Sequence, residues 1–76
     1  MIVAPETLDL SGVPCPANAA RALLRLEGMD PGSLLRIIVD DGEPVLNVPP
    51  ALEQEGHALL SKEPDAGRWV LLLRRG

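Results

Sequence analysis

The stretch from Leu34 to Val39 constrains the fold more than any other part of this 76-residue sequence. It is apolar at every position except Arg36. A strand that is apolar on both faces is typical of the centre of a sheet that helices cover. We therefore expect Leu35, Ile37 and Val39 to face helices, while the alternate positions lie on an open face of the sheet.

Apolar periodicity predicts the other elements around this central strand. They are a strand over Thr7–Leu10, a helix over about Pro16–Glu27, a short helix over Asn47–Glu55 and two strands over His57–Glu63 and Arg68–Arg75. Met1–Glu6 is expected to be a lead-in, Asp40–Leu46 a loop and Pro64–Gly67 a four-residue turn. The order βαβαββ predicts a two-layer α/β sandwich, with two helices on one face of a four-stranded mixed sheet. A chain this short is expected to form one domain over residues 1–76.

Composition narrows the classes of function. One cysteine excludes an intramolecular disulfide, and the sequence lacks a leader pattern and a long apolar run, so a cytoplasmic location without membrane association is expected. A net charge of −4 and a single aromatic residue, Trp69, argue against direct nucleic-acid binding, which needs cationic and stacking side chains. Protein partners are therefore favoured over RNA.

The cysteine lies where the first strand gives way to the first helix, in Gly12-Val13-Pro14-Cys15-Pro16. Unpartnered backbone N–H groups and the helix dipole at this end stabilise a thiolate by about 0.3–1 kcal/mol. Pro16 suits the first helical position, and Pro14 stiffens the approach. A lone cysteine is often a small buried hydrophobe, but these flanking residues favour a presented thiol.

Other polar residues give weaker indications. Asp40, Asp41 and Glu43 lack the spacing of a cation-binding loop and are interpreted as a solvated turn, and one Cys with one His does not make a zinc site. We predict no metal and no cofactor. His57 is interpreted mainly as the start of the third strand, with contact to an incoming partner as the alternative.

These residues resemble the TusA (SirA-like) family of small sulfur-carrier proteins over nearly the whole chain. The resemblance depends on Leu8–Pro16, which is similar to the family's L-D-x-x-G-x-x-C-P signature, and on Val39–Asp41, Asn47–Pro49 and Gly56–Leu60. It implies the βαβαββ fold and a sulfurtransferase-type carrier in which Cys15 holds sulfane sulfur as a persulfide. The resemblance also implies that the carrier supplies sulfur for tRNA thiolation, for a cofactor or for sulfur oxidation.

The sequence departs from the family at Asn18, where the C-P-x-P motif has its second proline. If Cys15 is the N-cap, the backbone N–H of Asn18 faces the sulfur, whereas a proline offers none. We hypothesise that this N–H favours the thiolate. The alternative is that Asn18 relaxes a motif that is no longer used, which leaves a non-catalytic interaction or regulatory module.

Partner binding is part of the expected mechanism, because no second cysteine can receive the sulfur within the chain. The resemblance implies a cysteine desulfurase or a rhodanese-like protein as donor and a further protein as acceptor. Arg21 and Arg25, on the outer side of the first helix, are candidate docking residues. Aliphatic residues on the open sheet face indicate either scattered surface hydrophobes or a weak dimer or partner surface, so we expect a monomer or a weak dimer.

Overall fold

A four-stranded mixed sheet forms one layer of the computed structural model, which describes residues 5–76. The elements are β1 (Glu6–Asp9), α1 (Ala17–Glu27), β2 (Leu34–Asp40), α2 (Glu43–Gln54), β3 (Ala58–Asp65) and β4 (Arg68–Arg74). The strand order is β1-β2-β4-β3, with β1 parallel to β2 and the other neighbours antiparallel. The predicted βαβαββ order and α/β sandwich are confirmed.

The core lies between the sheet and the two helices. Leu35, Ile37 and Val39 of β2 are fully buried, as their alternation predicts, and so are Leu71 and Leu73 of β4. The helices contribute apolar side chains to the same cluster, namely Ala22, Leu26, Val45, Val48 and Leu52. The core is therefore aliphatic, with Trp69 packed at its margin.

The other face of the sheet carries aliphatic side chains without a covering layer in the described residues. Ile38 of β2 pairs with Val70 of β4, and Arg36 pairs with Leu72. Ile38, Val70 and Leu72 are each partly exposed. Arg36 interrupts this row of aliphatic side chains. Self-association through the open face stays a prediction.

The second helix begins four residues earlier than the sequence indicated. Gly42 is the N-cap of α2 and has a φ of 93°, a conformation that favours glycine. The helix therefore begins at Glu43, with Pro44 in its first turn. The predictions of a loop over Asp40–Leu46 and of a helix that starts only at Asn47 were therefore wrong. Pro49 and Pro50 lie inside the helix, where Pro49 is buried in the core side of α2.

The last hairpin is also tighter than predicted. β3 continues through Pro64 to Asp65, which pairs with Arg68, so only Ala66 and Gly67 form the turn. Both have positive φ, 51° and 82°, as two-residue hairpin loops of the type I′ kind require. A shift in register between Leu59 and Ser61 leaves Leu60 outside the ladder.

Neither helix of the described chain is long and apolar enough to cross a membrane.

Candidate functional site

The loop between β1 and α1 carries the cysteine, and backbone hydrogen bonds fix its course. Leu10 N donates to Ile38 O (2.8 Å), which continues the parallel pairing, and Val13 N donates to Leu10 O (3.1 Å). Gly12 has a φ of 76°, a left-handed conformation in which a side chain is strained. Its amide donates to Asp40 Oδ2 at 2.7 Å, so the loop is attached to the end of β2.

A polar network supports the same loop from the strand ends. Ser11 N donates to Asp9 Oδ1 (2.9 Å), and Arg68 Nη1 donates to Ser11 Oγ (2.9 Å). Hydrogen bonds from the Ser11 side chain and backbone lower the pKa of Asp9 below its ordinary value, and Arg68 adds a smaller favourable charge. Asp9 of β1 and Arg68 of β4 thus both contact this loop through Ser11.

Cys15 is exposed at the beginning of α1. Pro16, joined to it by a cis peptide bond, is the N-cap, and Ala17 is the first helical residue. Cys15 is therefore one residue outside the N-cap position that sequence analysis gave it. Pro14 and Pro16 both offer carbonyl oxygens to the first turn, which accept from Asn18 N and Ala20 N at 3.1 Å. The flanking prolines thus tie the cysteine segment directly to the helix.

Asn18 contacts the sulfur by a different route from the one predicted. Its backbone N–H is occupied by Pro14 O, so the prediction of a backbone donor to sulfur was wrong. The side chain takes that role instead, because Nδ2 donates to Cys15 Sγ at 3.2 Å. Asn18 is 1% exposed, which makes it a buried polar residue beside an exposed thiol.

The acidic residues at the end of β2 are hydrogen-bonded rather than simply solvated. Asp40 accepts from Gly12 N, and Asp41 Oδ1 accepts from Trp69 Nε1 at 2.8 Å. Sequence analysis did not connect either acid with the cysteine loop or with Trp69, because both contacts span 28 residues. Within residues 5–76, no three His, Cys, Asp or Glu side chains are grouped so that they could hold a metal ion.

The two candidate docking arginines lie on one open groove between β1 and α1. Its lining comprises Glu6, Leu8, Arg21, Leu24, Arg25, Gly28 and Met29. Arg25 Nη1 lies 2.6 Å from Glu6 Oε2, in an ion pair whose side chains are about half exposed. Leu24 is 74% exposed, the most exposed of the large hydrophobic residues in the described chain.

His57 lies at the other end of the sheet from Cys15. It directly precedes Ala58, which pairs with Arg74 near the end of β4, whereas Cys15 follows the end of β1. Its side chain is 7% exposed, and its Nδ1 accepts from Gly76 N at 3.1 Å. The buried imidazole favours the structural interpretation, and contact with a partner stays a prediction. His57 lies one residue before β3 rather than at its first position.

The fold and the site together define a small α/β sandwich that presents one exposed cysteine at the junction of β1 and α1. The chain belongs to the TusA family, since the family model for Sulfurtransferase TusA matches residues 6–75.

Two individual proteins extend the comparison. A relative from Archaeoglobus fulgidus, named "Putative sulfur carrier protein", is 40% identical over 75 residues, which are 97% of this chain and 85% of the relative. The solution structure of HP1264 from Helicobacter pylori superposes with a TM-score of 0.75 at 20% identity, over 92% of this chain and 96% of that chain. This structural likeness supports the fold alone.

Proposed function

We propose that this chain is a sulfur carrier that accepts sulfane sulfur as a persulfide on Cys15 and passes it to the thiol of an acceptor protein. The observation that carries the proposal is the exposure of Cys15 on a loop whose backbone is held by Asp40 and Pro14. Membership of the TusA family and the name of the Archaeoglobus fulgidus relative support the same role.

The chemistry needs two displacements at sulfur. In the first, the Cys15 thiolate attacks the outer sulfur of a donor persulfide, a new Sγ–S bond forms, and the donor cysteine leaves as a thiolate. The proton lost from the Cys15 thiol is balanced by protonation of the departing thiolate. In the second, an acceptor thiolate attacks the outer sulfur and Cys15 leaves. Each exchange conserves electrons, so neither an oxidant nor a reductant is required.

The acceptor must be another molecule, because the sequence contains one cysteine. The donor is expected to be a cysteine desulfurase or a rhodanese-like protein, and the acceptor a protein of tRNA thiolation, of cofactor sulfur supply or of sulfur oxidation. The groove with Arg21, Leu24 and Arg25 is the proposed docking surface, because α1 links it directly to the cysteine loop. Its exposed leucine between two arginines suits an interface that pairs apolar contact with acidic groups.

Mass spectrometry after incubation with a cysteine desulfurase and cysteine tests the proposal. One added sulfur on Cys15, removed by dithiothreitol and absent in Cys15→Ser, is the expected result. A rhodanese with thiosulfate serves as the second donor. If neither donor adds sulfur to the folded protein, the carrier function is overturned, and the non-catalytic interaction module becomes the better account of the drifted motif.

A further inference from the structure

Asn18 is a buried polar side chain whose orientation the backbone decides. Its Oδ1 accepts a hydrogen bond from Ala19 N at 2.7 Å, so the carbonyl end of the carboxamide is held against the first turn of α1. The amide end is left facing Cys15 Sγ, 3.2 Å from Nδ2. Rotating the carboxamide by half a turn would set its N–H groups against the Ala19 N–H and its oxygen against the sulfur. The arrangement therefore directs a donor, not an acceptor, at the reacting atom.

A donor in this position distinguishes between the charge states of sulfur. A thiol sulfur is a weak acceptor, whereas a thiolate carries a full charge and accepts a charge-assisted hydrogen bond. A hydrogen bond that is stronger in the charged form favours that form. Because Asn18 is 1% exposed, water competes little for its amide.

We infer that the Asn18 carboxamide is a catalytic hydrogen-bond donor to Cys15 Sγ, acting on the thiolate that attacks the donor persulfide and on the thiolate that leaves when sulfur is passed on. This inference rests on the proposed carrier function and adds a residue to its site. The side chain stands where the family's motif has proline, and a proline side chain offers no donor to sulfur.

The two displacements gain from the same contact. In uptake, the hydrogen bond from Asn18 Nδ2 stabilises the attacking thiolate more than the thiol, while the nucleophilicity of that thiolate falls less than proportionally, so attack on the donor persulfide is faster. In delivery, negative charge develops on Sγ as the bond to the outer sulfur breaks, and a better-stabilised leaving thiolate departs faster. A carrier must perform both steps, and a donor fixed on Sγ serves each.

The first experiment measures alkylation of Cys15 by iodoacetamide against pH, which needs no partner protein. In Asn18→Ala the midpoint of the profile is expected to move to higher pH. The rate at neutral pH is expected to fall roughly two- to fourfold, which is the effect of one ordinary hydrogen bond partly offset by the higher nucleophilicity of the thiolate. In Asn18→Asp a carboxylate faces the sulfur, and the midpoint is expected to rise further. Asn47→Ala is the matched control, because Asn47 is an exposed helical asparagine on α2. An unchanged midpoint in a folded Asn18→Ala protein overturns the inference.

A second measurement uses the unaltered protein and so does not depend on a variant folding. In a ¹⁵N spectrum, the side-chain amide signals of Asn18 are expected to shift with pH in step with Cys15 ionisation, and to lose that shift in Cys15→Ser. If the Asn18 side-chain signals have the same pH dependence in the natural protein and in Cys15→Ser, the inference is contradicted. Failure of sulfur uptake in every protein, with the alkylation shift intact, would instead overturn the carrier function and leave the donor role of Asn18 standing.

Discussion

Asp40 Oδ2 lies 2.7 Å from the backbone nitrogen of Gly12 and accepts its hydrogen bond across 28 residues of sequence. Asp40 ends the central strand β2, whereas Gly12 lies in the loop that presents Cys15. The central strand of the sheet thus helps to set the position of the loop that carries Cys15.

Asp40→Ala should release the Gly12 amide while leaving the core intact. We expect amide hydrogen exchange at Gly12 to accelerate about tenfold, which corresponds to the loss of roughly one net hydrogen bond. Nuclear magnetic resonance measures this exchange residue by residue. Asp41→Ala is the control, since Asp41 accepts from Trp69 rather than from the loop. Equal acceleration in both variants would show that Asp40 has no special role.

Gly12→Ala should destabilise the protein through backbone strain alone. Gly12 has a φ of 76°, and a Cβ built there meets no atom within 4 Å, so no clash adds to the cost. The free energy of unfolding is expected to fall by about 1–2 kcal/mol in urea titrations. At Gly28 φ is −84°, and the same added methyl makes ordinary contacts, so Gly28→Ala should leave stability unchanged or raise it slightly. A Gly12→Ala protein as stable as Gly28→Ala would refute the strain argument.

The lowered pKa of Asp9 predicts an acid-sensitive contribution to stability. The folded protein binds a proton here less readily than the unfolded chain, whose ordinary value is 3.8, so the contribution is present above that pH. It is lost as the pH falls through the lower folded value. Asp9→Asn should therefore give a shallower decrease in unfolding free energy between about pH 5 and pH 2. Asp30→Asn, an exposed acid in the turn after α1, provides the comparison, and identical pH profiles for Asp9→Asn and the natural sequence would contradict the prediction.

Leu24→Asp should weaken donor docking without loss of stability. Leu24 is 74% exposed, so the substitution should change the free energy of unfolding of the protein by no more than about 0.5 kcal/mol. Removal of a central apolar contact from the groove is expected to raise the apparent KM for the sulfur donor about tenfold. Leu46→Asp changes a leucine that is 65% exposed on the other helix and should leave that KM unaltered. Matching effects at both positions would exclude the groove as the docking surface.

Much of the fold could be predicted because its signals are local. The apolar residues on both faces of Leu34–Val39 identify the central strand, and the glycine after Glu27 marks the end of α1. The start of α2 was missed because Pro49 and Pro50 resemble a first turn, whereas the positive φ of Gly42 and the early Pro44 decide it. Three prolines in one helix make the two positions hard to distinguish by propensity alone.

The candidate site, like the fold, could be predicted only in its local part. Cys15, its prolines and Asn18 adjoin one another in sequence, so their grouping was predictable, but which nitrogen of Asn18 faces the sulfur depends on the carbonyl of Pro14. Asp40, Arg68 and Trp69 reach the loop region only through sheet pairing and β4 register. No local pattern identifies such contacts.

Trp69 gives the molecule an optical property that follows from its place in the sheet. It is the one aromatic residue of the chain, and its indole nitrogen is bound to Asp41 at the strand ends that support the cysteine loop. Ultraviolet-excited emission from the natural protein therefore originates entirely at that end. The binding of a partner protein that contains no tryptophan can therefore be followed at this end through the emission of Trp69, without an added dye.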